Sequence, residues 1–399
     1  MFYTPTSGIG LEARVQRFFL AQGVFAERHL FPAASPDHRM LATDIDVLVS
    51  EYVSGFNATR RHAECKGGKV QLLDRILWLS GVRALLKADG SYLLIPNFDK
   101  EASDFANNLN IQLLTLKQLE KWETSIHLPQ DVWPCRSDFQ IYDVAKAKWT
   151  KVNEGKTEDT SWRLLHEVSG FIEIDSWLSF RYSDLNRLIR YLQTIAKEYE
   201  KSSDEHRKLF CRYLISALLV RLCQYLLAVC RDVSRLPTTN VANYLSQRLT
   251  YGDQEPERAS GLIEGTVDWV KRALEKKGIA LPPEIDIGRL YEAPPYNKEF
   301  IELIDRLLQQ SNESRYLTIT MEASQFGTEE TINKLPRLKA ATNADGSLAA
   351  LVKGFIIRVF SIPKELTDSI ANDLKGKYTL KASGIKKRPR HGQVELPLK

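Results

Sequence analysis

The stretch HAECKGGKVQLLDRILWLSGVRALLKADG, residues 62–90, is where the chain declares its architecture. Its start closes a β-type segment over 58–66, and VQLLDRILWLSGVRALLKA, 70–88, has the apolar period of a long helix that Asp89-Gly90 ends. Alternate residues of a strand share a face. Glu64 and Lys66 therefore project together, while Cys65 points into the opposite layer. Upstream, DIDVLVSEY (44–52) places Asp44 and Asp46 on one face and leaves Ile45, Val47 and Val49 for the core. A hairpin through residues 52–58 would bring the carboxylates of Asp46 and Glu64 together beside the Lys66 ammonium.

The pattern extends on both sides. LEARVQRFFLAQ (11–22) carries Leu11, Val15, Phe18 and Phe19 at helical spacing, bears Glu12, and stops at Gly23; a β-type segment follows at 24–31. After residue 90 come the strand SYLLIPNF, the short helix EASDFANNLN, the strand IQLLTL and the helix LKQLEKWE. The order α, β, β, β, α, β, α, β, α predicts an α/β domain over residues 1–125, its sheet covered by helices on both faces. Residues 126–157, with Pro129, Pro134 and KVNEGKTED, read as a connector. Over 158–373 the helical period dominates, at 161–170, 184–201, 204–233, 239–250, 258–278, 297–311 and 344–360. Turn signals such as Asp345-Gly346-Ser347, Pro282-Pro283 and Pro294-Pro295 separate these segments. This is a mainly α-helical second domain, suited to target recognition, to a protein partner or to self-association.

Composition narrows the classes. The 399 residues are 43% hydrophobic and 26% charged, ordinary for a soluble globular chain. Net charge is +5, yet residues 1–125 hold 14 basic and 14 acidic side chains, whereas the tail 374–399 holds 8 and 1. No basic face on the body follows from that balance. Five cysteines without a CxxC pair suggest neither disulfides nor a zinc knuckle, and fit a reducing, cytoplasmic setting. The first residues lack a signal-peptide pattern. LFCRYLISALLVRLCQYLLAVCRD (209–232) is interrupted by Arg212, Arg221 and Arg231. A central arginine costs a membrane span about 2.5–3.5 kcal/mol, so this segment is expected to be a buried central helix, with no membrane partner.

The chemistry lies in Glu12, Asp44, Asp46 and Glu64-Cys65-Lys66. Two carboxylates and a backbone carbonyl, that of Cys65, are hard oxygen donors of the kind Mg²⁺ or Mn²⁺ accepts. An adjacent ammonium adds positive charge near phosphoryl oxygens and can orient a water. Glu-x-Lys alone means little, since it recurs at Glu154-Lys156 and Glu275-Lys277, and acid-x-Asp recurs at Glu173-Asp175 and Glu284-Asp286. The first set differs in order and context. Only there does a helix with a glutamate precede an acidic strand, a strand with Glu-x-Lys and a long helix.

These segments, SGIGLEARVQRFFLAQG, TDIDVLVSEY, HAECKGGKV and SYLLIPNF with FANNLNIQLLTLKQL, resemble the PD-(D/E)XK superfamily of restriction-endonuclease-like nucleases, in particular its Mrr-type branch, over residues 7–123. The resemblance implies an αβββαβ core and Mg²⁺- or Mn²⁺-dependent hydrolysis of DNA phosphodiester bonds. It matches Asp46 to the metal-binding aspartate, with Asp44 as the alternative or second acid, and Glu64 and Lys66 to the motif's catalytic pair. Glu12 matches the first-helix glutamate that reaches the metal through water. Gln71 fits loosely the glutamine that some branches carry. A role in prokaryotic, antiviral defence against foreign DNA is a further implication.

Lys69, which follows Gly67-Gly68, is a candidate phosphate contact, and Arg60, Arg61 and His62 read first as exposed strand-edge charge, with contact to a backbone phosphate as the alternative. In the tail Lys386, Lys387, Arg388 and Arg390 form a basic patch, read either as a solubilising end or as a flexible arm that contacts phosphates. Two alternatives stay open. RNA cleavage uses the same chemistry, and a catalytically idle nuclease fold could serve as a binding or assembly module.

Overall fold

The structure is a computed structural model that describes residues 8–32, 43–53, 56–68, 70–128, 160–175, 180–278 and 292–373. Most of the expected connector (129–157), Lys69, and the tail with Lys386, Lys387, Arg388 and Arg390 lie outside the described residues.

Helix α1 (Ile9–Ala21) leads into an antiparallel meander of β1 (Phe25–Pro32), β2 (Ile45–Tyr52) and β3 (Ala58–Cys65). Helix α2 (Leu72–Leu85) crosses to β4 (Gly90–Leu94), parallel to β3. Helix α3 (Lys100–Asn108) crosses to β5 (Ile111–Leu114), parallel to β4, and α4 (Leu116–Ser125) follows. The α, β, β, β, α, β, α, β, α order is the expected one. Both faces of this mixed sheet are covered. Ala63, Cys65, Tyr92 and Leu94 join one apolar cluster with Leu11 and Val15 of α1, whereas Leu93 and Ile95 pack with Ile76 and Leu79 of α2.

Gly23 ends α1 at φ 75°, and a Cβ there would stand 3.2 Å from the Arg337 carbonyl oxygen. Glycine thus serves both the left-handed turn and close packing against a distant helix.

The rest of the described chain is helical: α5 (Thr160–Glu173), α6 (Tyr182–Lys201), α7 (Glu205–Val233), α8 (Thr238–Tyr251), α9 (Pro256–Glu275), α10 (Asn297–Gln309), α11 (Ser311–Ser314), α12 (Leu317–Phe326), α13 (Glu329–Asn333) and α14 (Pro336–Phe360). Helix α7 is the hub, contacted by α5, α6, α10 and α12. It is long and apolar enough to cross a membrane, but 89% of its most apolar window is buried within the protein. Leucines on every side of it find apolar neighbours there, as befits a helix without a polar face.

Two features tie the helices to the sheet. Ile174–Asp175 form a short strand, β6, parallel to β1, completing the order β5-β4-β3-β2-β1-β6. Beside it, the buried Arg221 of α7 donates to Glu27 of β1 (3.2 Å), to Gln224 (2.8 Å) and to the Ile172 carbonyl (2.7 Å), and Gln224 also donates to Glu27 (3.0 Å). The apolar core runs without a break from α1 and the sheet into α14.

Three expectations need correction. Asp345-Gly346-Ser347 is no turn but lies inside α14, which begins at Pro336 rather than at 344. Proline is tolerated in the first turn of a helix, where its missing N–H has no intrahelical partner. Helices α11 to α13 were not anticipated, and neither was β6, which falls between the expected helical segments 161–170 and 184–201.

Candidate active site

Pairing of β2 with β3 sets Val47 opposite Ala63 and Leu48 opposite His62. One step further along the two strands stand Asp46 and Glu64. At that end of the hairpin the Cys65 backbone N–H donates to Asp46 Oδ2 at 2.7 Å, which fixes the aspartate beside the Glu-Cys-Lys segment. The Lys66 ammonium lies 3.5 Å from Asp46 Oδ2 and 2.5 Å from Glu64 Oε1. A single cation therefore reaches both carboxylates. Cys65 itself is buried in the opposite layer, as its alternation requires, and burial holds its thiol well above the usual range.

Arg75, one turn into α2, pairs with Glu64 Oε1, and its guanidinium lies 3.8 Å from the centre of the Trp78 ring. Glu64 is 1% exposed, and Lys66 and Arg75 form its cover toward solvent. Burial lowers the Arg75 pKa. Sequence reasoning missed this residue. An arginine in the first turn of a helix carries no signal until the crossover from β3 folds α2 back over the strand.

Glu12 approaches from α1. Burial, then the Asp46 charge, push its pKa up to about 8, while Arg28 and Lys66 pull the other way. It is thus protonated at neutral pH. Arg28, also missed, is buried on β1 and donates to Gln16 Oε1 at 2.6 Å. Counting Glu12, Asp44, Asp46 and Glu64 against Arg28, Lys66 and Arg75, the charges balance while Glu12 keeps its proton.

Other expected contributors fall elsewhere. Asp44 precedes β2 rather than lying in it and is exposed, its charge felt by Glu12. His62 does not stand at a strand edge open to phosphate. β3 is an interior strand, and the imidazole is fully buried, 3.7 Å from Glu64 Oε2. Burial, with Arg75 and Lys66 nearby, drives its pKa down to about 3, so it is neutral. Arg61 donates to the Tyr92 hydroxyl at 2.9 Å, and the Arg60 backbone N–H donates to Asp89 at 2.7 Å. Gln71 is exposed at the start of α2.

Do these donors fit Mg²⁺ or Mn²⁺? The chemistry does: Asp46, Glu64 and the Cys65 carbonyl are hard oxygens, and the Lys66 ammonium sits against both carboxylates. Among the described residues no three His, Cys, Asp or Glu side chains are grouped tightly enough to hold a metal. Glu12 stands beside the pair, close enough to feel the Asp46 charge. Comparison with protein-family models, with curated proteins and with solved structures gave no match.

Proposed function

We propose that the protein is a metal-dependent nuclease that hydrolyses DNA phosphodiester bonds, with its site at Asp46, Glu64 and Lys66. The observation that carries the proposal is the convergence of two strand-borne carboxylates on one ammonium. The αβββαβ order of α1 to β4 agrees with the restriction-endonuclease-like resemblance of residues 7–123. Asp46, Glu64 and the Cys65 carbonyl would hold Mg²⁺ or Mn²⁺. Such an ion, when bound, supplies charge neutralisation at the phosphate and a more acidic water.

The chain's own groups do the rest. Lys66, freed from its bridging contacts, would present its ammonium to a non-bridging phosphate oxygen. Arg75, steadied on Trp78, would turn its guanidinium from Glu64 to a second oxygen. Glu12 holds a proton beside Asp46 at neutral pH. Prokaryotic defence against foreign DNA is the setting we infer for this activity.

The test is Mg²⁺- or Mn²⁺-dependent cleavage of DNA and RNA by the intact chain beside Asp46→Ala and Lys66→Ala. Loss of at least about a hundredfold in both variants, with unchanged circular dichroism, is expected. Equal cleavage by all three proteins would sink the assignment.

One observation favours a second reading, an idle nuclease fold used for assembly: Glu64 is already neutralised by two cations. Calorimetry separates the two readings. The idle fold takes up neither Mg²⁺ nor Mn²⁺, even with nucleic acid present.

A further inference from the structure

On the sheet face that α2 covers, three polar side chains are buried side by side. His62 and Glu64 share that face by strand alternation. The parallel register sets Ser91 of β4 opposite His62, and Leu93, which packs with α2, opposite Glu64. His62 is fully buried, and Glu64 and Ser91 are 1% and 2% exposed. Among the described residues neither imidazole nitrogen of His62, nor Ser91 Oγ, nor Glu64 Oε2 has a hydrogen-bond partner. Buried polar groups of native proteins nearly always have one, and each exception calls for a reason.

The two oxygens of Glu64 differ in their surroundings. Oε1 lies 2.5 Å from the Lys66 ammonium and pairs with Arg75, two cations that keep a path to solvent. Oε2 stands 3.7 Å from His62 Nε2. That gap is just beyond hydrogen-bond reach, and a small turn of the carboxylate closes it. Contacts of this kind are often long in a resting site and tighten when the site is loaded.

We propose that His62 is the positioning residue of Glu64: when Oε1 is given up to a metal ion, the imidazole donates its Nε2–H to Oε2 and fixes the carboxylate. Ser91 donates its hydroxyl to Nδ1, which holds the imidazole in the tautomer with its proton on Nε2. The inference rests on the nuclease reading of the site, and adds to it a residue that touches neither metal nor phosphate. It leaves Glu64 a donor on its inner side after Lys66 and Arg75 turn to the phosphate. Carboxylates that hold metals are themselves held by such outer contacts, whose loss costs about 10–100-fold in affinity or activity. Packing alone accounts poorly for the row, because an apolar side chain would fill the place of His62 without leaving buried nitrogens unpaired.

The test is calorimetric titration of the full chain with Mn²⁺, beside the kinetics of DNA cleavage, for the wild type, His62→Gln, His62→Asn and His62→Met. Glutamine carries an amide N–H to about the place of Nε2. Asparagine reaches only about as far as Nδ1, and methionine keeps the bulk without a donor. Mn²⁺ binding is expected to weaken by about 10–100-fold in His62→Asn and His62→Met, with kcat falling in step and KM for DNA little changed. His62→Gln should recover most of that loss, and Ser91→Ala should show a smaller loss of the same kind. In denaturant, metal-free His62→Met is expected to be at least as stable as the wild type, because it replaces an imidazole without partners. Should His62→Met lose its fold, His62→Asn against His62→Gln decides. Equal Mn²⁺ affinity in the wild type and all His62 variants overturns the proposal. So does His62→Gln as weak as His62→Asn, which would make His62 a packing residue. Either result leaves the nuclease reading standing. A wild type that takes up no Mn²⁺, alone or with DNA, removes that reading and the role of His62 with it.

Discussion

Two buried charge clusters flank the same meander and differ in how completely their members are matched. At β1 and α7, Glu27, Arg221, Gln224 and the Ile172 carbonyl are joined by four hydrogen bonds of 2.7–3.2 Å, with Glu27 and Arg221 almost wholly out of solvent. At the end of β2 and β3, Lys66 is shared between two carboxylates, Arg75 crowds the same oxygen of Glu64, and Glu12 is pushed toward neutrality. The first cluster is closed and joins the helices to the sheet. The second can rearrange, because two of its cations, Lys66 and Arg75, keep a path to solvent. A closed ionic network is architecture, while an overcommitted one can exchange partners and so can accept a ligand.

The largest effect should come from opening the closed cluster. Arg221→Met is expected to cost about 3–5 kcal/mol in denaturant unfolding, because it strands a buried glutamate. Glu27→Gln added to that variant should recover much of the loss, and a double-mutant cycle measures the coupling. If Arg221→Met unfolds like the wild type, the network is not the brace we describe.

A smaller change, of the opposite sign, is expected at the open cluster. The folded-state pKa of Glu12 is raised to about 8 from 4.5. The folded protein therefore holds a proton that the unfolded chain releases. Stability from this group is whole below about pH 4.5 and is lost as pH climbs toward about 8. Glu12→Gln should thus be more stable than wild type at pH 9 and match it at pH 4. Urea titrations at the two pH values decide this, and parallel curves at both would remove Glu12 from the electrostatics of the site.

The smallest effect concerns a buried carboxylate with no hydrogen-bond partner among the described residues. Asp345 of α14 is fully buried and neither oxygen has a hydrogen-bond partner among the described residues; burial raises its pKa to about 8. Asp345→Asn should stabilise the protein by about 1 kcal/mol above pH 8, and the advantage should vanish near pH 4. A thermal shift independent of pH would contradict it.

Much of the sheet region was legible because its strands alternate and its turns carry Gly, Asn and Asp. Asp46, Glu64 and Lys66 could be grouped from period two and one hairpin alone. Arg75, Arg28 and the Glu27–Arg221 pair could not, since their partners are chosen by the docking of helices on the sheet. In α12 every residue except Ser324 is buried, including Thr318, Thr320, Glu322 and Gln325, so no amphipathic period marks it. Asp345-Gly346-Ser347 carries turn chemistry, yet the packing of Leu338, Leu348 and Val352 along one face keeps that segment helical. Tertiary contacts overrode local preference there.

The late arrival of β6 and α7 bears on how the chain is made. Arg221 follows Glu27 by 194 residues, and at about 5–20 residues per second of synthesis the glutamate waits on the order of 10–40 seconds for its partner. Until Ile174–Asp175 emerge the outer edge of β1 lacks its β6 neighbour, and until α7 follows the Glu27 carboxylate must stay wet. The nascent meander is therefore held open on the side where α7 will dock, and the sheet closes only when the helical half of the chain has been synthesised.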